Sequence, residues 1–203
     1  MRIKEKDFLI LNKKPLIAIK RNFLLDEECD SLCSAAKEQG LNSSTVLVEN
    51  SNVHNTYRVS SDCYLRYNEG INGEIRKKLS KLVSHPIKYF ENTTVIKYEK
   101  EQYYKPHYDF FYDHQIQVRR QRVATAICYL NTPIGGETTF PKLNIVHKPQ
   151  KGDLLFFRYD YDKEINPLTM HEGVPPTEGE KWIATIWMQE KLKLFDSIKW
   201  LYK

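Results

Sequence analysis

The sequence predicts an α+β fold rich in β-structure, with helices in the first part of the chain and a barrel or jelly roll of short strands after them. Two observations carry this. Two apolar stripes with helical spacing (~3.6 residues) precede residue 87. Beyond it, runs of β-branched and aromatic residues alternate with turn-forming dipeptides.

The first stripe starts after Asp26, a residue type that suits an N-cap, with Glu27 and Glu28 in the first turn. Cys29, Leu32, Cys33 and Ala36 then fall at i, i+3, i+4 and i+7, and Gly40 ends the helix. The second stripe is Ile71, Ile75, Leu79, Leu82 and Val83, stopping before Pro86. Both helices are expected to buttress one side of a sheet. The predicted strands are Thr93–Tyr98, Val123–Leu130, Leu154–Tyr159 and Trp182–Met188. Turn signals separate them at Asn131-Thr132-Pro133, Gly135-Gly136, Lys151-Gly152 and Pro175-Pro176. Leu192, Phe195, Ile198 and Leu201 have helical spacing and predict a helix docking at the C-terminal end. Without repeats, linkers or low-complexity tracts, residues 1–203 are expected to be one domain.

Composition narrows the class. Hydrophobic residues make up 41% and charged residues 28%, which fits a globular protein. No apolar run approaches the ~20 residues of a membrane span. The charged start Met1 to Asp7 is not followed by a signal-peptide core, so the expected location is cytoplasmic, with no membrane partner. Four cysteines suit a reducing compartment. Cys29 and Cys33 share a helix face, but a zinc site there would need two further ligands and none is near, so they read as buried thiols. Cys63 and Cys128 read as core. The net charge of +5 is mild. Arg119, Arg120 and Arg122 could attract phosphate, but a solvated rim before a strand is the favoured reading, and no nucleic-acid motif accompanies them.

The residues that carry chemistry are His107 and Asp109, then His171 and Lys181 far downstream. On an extended strand a His-x-Asp pair puts both side chains on one face. Two imidazoles and a carboxylate form the facial triad that holds Fe(II) with positions left open. The other histidines, His54, His85, His114 and His147, lie in polar, loop-like contexts without a partner at ligand spacing and read as non-ligands. Lys181 opens a strand on which Lys181, Thr185 and Trp187 share a face and line one cavity. A lysine inside a barrel is costly unless an anion pairs with it.

Five segments resemble the prolyl 4-hydroxylases in order and spacing: Tyr98 through Phe111, Arg122 through Leu130, Gly135 through Pro141, Lys151 through Phe157, and His171 through Trp187. The resemblance runs from roughly residue 22 to residue 190, with Lys100-Glu101 where that family usually has a glycine. It implies a double-stranded β-helix (jelly roll) with buttressing N-terminal helices. It implies Fe(II) on His107, Asp109 and His171, with 2-oxoglutarate and O2 as cosubstrates and ascorbate keeping the iron reduced. The lysine matching Lys181 binds the distal carboxylate of 2-oxoglutarate in the family, with the residues matching Tyr98 and Thr138 beside it; Thr185 is placed in the same cofactor set. Tyr98 fits a strand-core tyrosine equally well, and Thr138 a turn residue. Arg58, Ser60, Glu91, Arg122 and Trp187 match positions that line the family's peptide groove, with Val59 where the loop Arg58-Val59-Ser60 usually has threonine; Trp187 as plain core and Arg58 as a surface charge remain the alternatives. The implied reaction hydroxylates prolyl residues of a peptide or protein, releasing succinate and CO2. An oxygenase acting on another side chain or a nucleobase, and a silent β-helix binding module, are the rival readings. Oligomeric state is left open.

Overall fold

The computed structural model describes residues 1, 3–48, 51–53, 56–66, 69–111, 120–159 and 166–191. The chain opens with a hairpin, β1 (Leu9–Lys13) and β2 (Leu16–Lys20), and continues through α1 (Asp26–Gln39), β3 (Asn42–Ser43), β4 (Val46–Val48), β5 (Ser51–Val53), β6 (Ser61–Tyr64) and α2 (Gly70–Val83). The remaining strands are β7 (Thr94–Tyr98), β8 (Tyr104–His107), β9 (Arg122–Tyr129), β10 (Ile134–Gly135), β11 (Thr138–Phe140), β12 (Ile145–His147), β13 (Leu154–Arg158), β14 (His171–Gly173), β15 (Pro176–Glu178) and β16 (Lys181–Gln189). Eight of them form one sheet in the order β1-β2-β13-β9-β16-β7-β6-β3, and four form a second in the order β12-β11-β14-β8. This is the jelly roll expected from the punctuated strands.

Period-two alternation divides the core in two. Leu154 and Phe156 of β13, Ala124, Ala126 and Cys128 of β9, and Trp182, Ala184 and Ile186 of β16 face the helices. Leu155 and Phe157, Ile127 and Tyr129, and Ile183 face the other way, into the barrel with Tyr98 and Phe140. The helix side is closed by Cys29, Leu32 and Ala36 of α1 and by Ile75, Leu79 and Val83 of α2, all buried as their spacing predicts. The helices therefore buttress the large sheet and leave its other face to the site.

The α1 cap differs from expectation. Leu25 is the N-cap and Asp26 the first helical residue; the Leu25 N–H donates to Glu28 Oε2 at 2.7 Å, so the third helical residue reaches back to do the capping. Gly40 ends the helix with φ +89°, as expected. The four long predicted strands are present with bounds shifted by one residue or less at each end. The hairpin β1–β2 corrects the expectation that β-structure begins near residue 87. Leu16, Ile17, Ala18 and Ile19 are buried on both faces, so β2 lacks the alternation that marks a half-buried strand. The predicted helix carrying Leu192, Phe195, Ile198 and Leu201 lies outside the described residues, as do His54, His114 and Arg119.

All four thiols are free. Burial pushes Cys29 and Cys33 up to about 11, which keeps them protonated; Cys29 is buried as expected, whereas Cys33 is only half-buried, which corrects its reading as a buried thiol. Among the described residues no helix is long and apolar enough to cross a membrane.

Candidate metal centre and adjoining pocket

Strand pairing brings the two histidines together. β14 lies antiparallel to β8 with His171 opposite His107, and their rings are 4.2 Å apart. Each ring is oriented by the backbone two residues before it. His107 Nδ1 bonds the Lys105 carbonyl at 2.8 Å, and His171 Nδ1 bonds the Thr169 carbonyl at 3.0 Å. A carbonyl only accepts, so both Nδ1 atoms carry a proton, and Nε2 is the atom each ring has to offer a metal. They face Asp109: His107 Nε2 is 3.6 Å from Oδ1 and His171 Nε2 is 3.5 Å from Oδ2. Asp109 sits just past the end of β8, where the Thr125 hydroxyl donates to Oδ2 at 2.6 Å and Arg122 donates to its backbone carbonyl at 3.1 Å.

Electrostatics agree with a cation site. Burial alone would raise the Asp109 carboxyl, but in the acid range where it would take up a proton the imidazoles beside it are charged, and with Arg122 they reverse the sign and hold it well below the ordinary carboxylate range. Burial, with His107 beside it, pushes His171 down to about 4, which keeps the imidazole neutral. One nitrogen from each histidine and a carboxylate oxygen lie within 4.8 Å of one another, the only such group among the described residues. Two imidazole nitrogens and one carboxylate are the donors of the facial triad, and they fit Fe(II).

The triad opens on a pocket of about 430 Å³, mouth included. Its floor is the inward face of β16, with Lys181, Ile183, Thr185 and Trp187 in sequence along it. Lys181 is 1% exposed and has no hydrogen-bond or ion-pair partner among the described residues. Gly136 explains how the side chain passes: a Cβ there would lie 3.2 Å from Lys181 Cδ, and the φ of +72° suits glycine. Burial lowers the ammonium to about 7, with Glu137 pulling weakly the other way. Thr185 Oγ1 and Trp187 Nε1 are buried without a hydrogen-bond partner among the described residues. A buried cation at one end of a pocket, with unsatisfied donors further along the same strand, fits a pocket built around an anionic ligand and a substrate beyond it.

Each residue singled out in the sequence has a place. Arg58, Tyr98, Thr138, Thr185 and Trp187 line the pocket with the triad and Lys181. Tyr98 lies opposite Lys181 on β7, and Thr138 is a buried strand residue of β11 whose oxygen accepts from the Tyr129 hydroxyl at 2.8 Å. Ser60, Glu91 and Arg122 stand behind the lining. Glu91 takes Arg122 in a two-point ion pair at 2.7 and 2.6 Å, and the guanidinium lies 4.1 Å from the centre of the Trp187 ring. Arg122 is therefore tied inward, which corrects its reading as part of a solvated rim; Arg120 is exposed. Arg58 is 8% exposed, not a surface charge: it bonds Ser60 and Asp62 at 3.0 Å each and reaches Tyr98. His85 and His147 are buried at 3% and 5%, packed on Tyr89 and Tyr129, which corrects the polar-loop reading.

Four residues around the site escaped the sequence: Tyr104, stacked on His107, Tyr129, Thr125 and Tyr159. For two of them a signal existed, since Thr125, Ile127 and Tyr129 share the inward face of β9. Glu101 takes the place where a glycine was expected and adopts φ +69°, the left-handed region. The turn is held by the Gln102 N–H on the Glu99 carbonyl and by the Gln102 side chain accepting the Glu99 N–H, both at 3.0 Å.

Comparison with known proteins agrees with this geometry. The family described as the 2OG-Fe(II) oxygenase superfamily matches residues 93–189, the stretch that holds the triad and Lys181. Prolyl 4-hydroxylase 2 of Arabidopsis thaliana is 34% identical over 93% of this chain and 71% of its own length. Prolyl 4-hydroxylase 1 of the same plant is 34% identical over 90% of this chain and 71% of its own length. Among solved structures, the viral collagen prolyl hydroxylase of Paramecium Bursaria Chlorella virus-1, crystallised as its 2OG complex, superposes with a TM-score of 0.71 at 31% identity, over 86% of this chain and 96% of that one. With fold, site and relatives in agreement, the chain belongs to the prolyl 4-hydroxylase family of 2OG-Fe(II) oxygenases.

Proposed function

We propose that this protein is a single-domain dioxygenase, residues 1–203, that uses Fe(II), 2-oxoglutarate and O2 to hydroxylate prolyl residues in a peptide or protein. The observation that carries the reading is one pocket with three chemically distinct parts: a triad of two imidazoles and a carboxylate, a buried ammonium with no ion-pair partner among the described residues, and an aromatic mouth at Trp187. His107, Asp109 and His171 would hold the iron. Lys181 would pair with the distal carboxylate of 2-oxoglutarate, and Thr138, Tyr98 and Thr185 would fix its orientation by their hydroxyls. Iron and 2-oxoglutarate, when bound, supply the activation of dioxygen, with one oxygen atom ending in succinate, the other in the hydroxylated product, and CO2 released. The apolar lining of Ile96, Ile127 and Ile183 excludes water from the reacting groups. At the mouth, Trp187 offers a flat apolar face to a proline ring, held in place by Arg122 and Glu91. Arg58 and Ser60 brace the pocket wall from the other side. Ascorbate is the reductant expected to restore Fe(II), and four free thiols support a reducing, cytoplasmic setting.

Action on a nucleobase is the weaker reading, because Arg122 of the basic cluster is neutralised by Glu91 instead of facing a phosphate, which leaves the exposed Arg120 as the cluster's one guanidinium outside an ion pair among the described residues. A silent binding module would gain nothing from an unpaired Lys181 beside three preoriented ligands. The test is a peptide panel incubated with Fe(II), 2-oxoglutarate and ascorbate, read by mass spectrometry. Proline peptides should gain one oxygen on the proline while their alanine counterparts do not. His107→Ala and His171→Ala should abolish succinate formation. Turnover in either variant removes the triad reading, and oxidation of a nucleobase with every proline peptide ignored removes the substrate reading alone.

A further inference from the structure

Two buried hydroxyls, Thr125 and Tyr159, stand behind Asp109 and do not line the pocket. Thr125 is 0% exposed and Tyr159 1% exposed, so water does not compete for either. Thr125 sits in the middle of β9, opposite Trp187 of β16 on one side and Phe157 of β13 on the other, so strands flank it on both sides. Its hydroxyl donates to Asp109 Oδ2 at 2.6 Å. A threonine hydroxyl has one hydrogen. The contact between Thr125 and the Tyr159 hydroxyl must then run with Tyr159 donating. The result is a directed chain, Tyr159 to Thr125 to Asp109, in which each bond polarises the next.

This chain treats the two oxygens of Asp109 differently. Both face an imidazole, Oδ1 at 3.6 Å from His107 and Oδ2 at 3.5 Å from His171, but the hydroxyl is bound to Oδ2. A carboxylate can hold a cation through one oxygen or through both. With both engaged, it takes a coordination position that a two-point chelating cosubstrate and dioxygen would otherwise share. We propose that Thr125, braced by Tyr159, is a positioning residue that commits Asp109 Oδ2 to hydrogen bonding and leaves Oδ1 as the metal-donating oxygen, keeping a coordination position open. The inference rests on the assignment of His107, Asp109 and His171 as the metal site.

The consequence differs from that of a general structural prop. Loss of the Thr125 hydroxyl releases Oδ2 toward the metal, so the metal stays bound while the cosubstrate is crowded out. The experiment measures Fe(II) affinity by titration and, without oxygen, 2-oxoglutarate affinity from the visible charge-transfer absorption of its Fe(II) chelate. Thr125→Val should keep the Fe(II) affinity of the parent and weaken 2-oxoglutarate by about tenfold or more. Thr125→Ser restores a hydroxyl and should return most of that loss. Tyr159→Phe removes only the brace and should fall between the parent and Thr125→Val. Parallel loss of both affinities in Thr125→Val, no change in either, or a serine variant no better than valine overturns the proposal. If Thr125→Val fails to fold by circular dichroism, Tyr159→Phe decides: metal kept with 2-oxoglutarate weakened supports the proposal, and both unchanged overturns it. A parent that binds no Fe(II), or a His107→Ala variant that binds it as well as the parent, removes the metal-site assignment instead.

Discussion

Lys181 is held at the expense of the protein's own stability. It is 1% exposed, and burial has lowered its ammonium to about 7 against the slight upward pull of Glu137. In the unfolded chain a lysine keeps its proton to about pH 10.4. Between those two values the unfolded state binds more protons than the folded one, so the stability of the ligand-free protein rises with pH through that window. Binding of 2-oxoglutarate runs the other way. A carboxylate favours the ammonium, so apparent affinity should fall as pH climbs above about 7, with proton uptake on binding. The groups placed to modulate this are Glu137, the Tyr98 ring 5.3 Å from Nζ, and neutral His147, itself pushed down to about 4 by burial. Lys181→Met should erase the pH dependence and weaken 2-oxoglutarate by about ten- to a hundredfold, as befits one charge-assisted bond. The same variant should unfold at a higher temperature than the parent near neutral pH, since it removes a buried unpaired cation. Calorimetric titration across pH and thermal melts check both; equal 2-oxoglutarate affinity in parent and variant would show that Lys181 has another role.

At the scale of elements, α2 is fastened to the sheet by a residue the apolar stripe does not include. Arg76 is 0% exposed, and its guanidinium donates to the carbonyls of Glu91 at 2.7 Å and Phe90 at 3.3 Å and to the Thr93 hydroxyl at 3.3 Å. Thr93 in turn donates to Asn72 of α2 at 2.6 Å. These contacts hold the segment that leads into β7 and carries Glu91. Arg76→Met keeps the volume but leaves buried carbonyls unpaired, and should cost about 3 kcal/mol in denaturant unfolding. Because Glu91 holds Arg122, peptide turnover should fall further than 2-oxoglutarate binding. An unfolding midpoint like the parent's would show that the carbonyls find other partners. The helices themselves were legible in the sequence, since a stripe such as Ile75, Leu79 and Val83 needs only local periodicity. The fastening was not, because an arginine on a helix reads as solvated until the sheet closes over it.

For the whole molecule, the site lies where the two sheets meet. β8 and β14 of the smaller sheet carry the histidines, and β16 and β9 of the larger carry Lys181, Trp187 and Thr125. The pocket runs from the buried cation to the aromatic mouth along one strand face, so substrate and cosubstrate are separable by mutation. Trp187→Ala should lower kcat/KM for a proline peptide several-fold or more, on the order of 1 kcal/mol beyond lost area, with 2-oxoglutarate binding near that of the parent. Arg58→Ala should behave differently. Its guanidinium bonds Ser60, Asp62 and Tyr98, so removal leaves Asp62 buried and unpaired and disturbs the cosubstrate end as well. Steady-state kinetics with each substrate varied separate the two patterns, and a Trp187 variant that loses peptide and 2-oxoglutarate equally would merge the two ends of the pocket.

The sequence by itself determined what local rules and spacing can carry. Alternation on β9 and β16 named the faces, helical stripes named α1 and α2, and the order of His107, Asp109, His171 and Lys181 named the chemistry, because a ligand set is a short list of residue types. Only the tertiary structure decided how those residues are held. The two backbone carbonyls that set the histidine tautomers, the hydroxyls of Thr125 and Tyr159 behind Asp109, and the ion pair that draws Arg122 from the rim to the groove all depend on residues from distant strands meeting in register. The hairpin β1–β2 belongs to the same class: a short run buried on both faces has no period to read, and it becomes a strand because β13 offers it an unpaired edge.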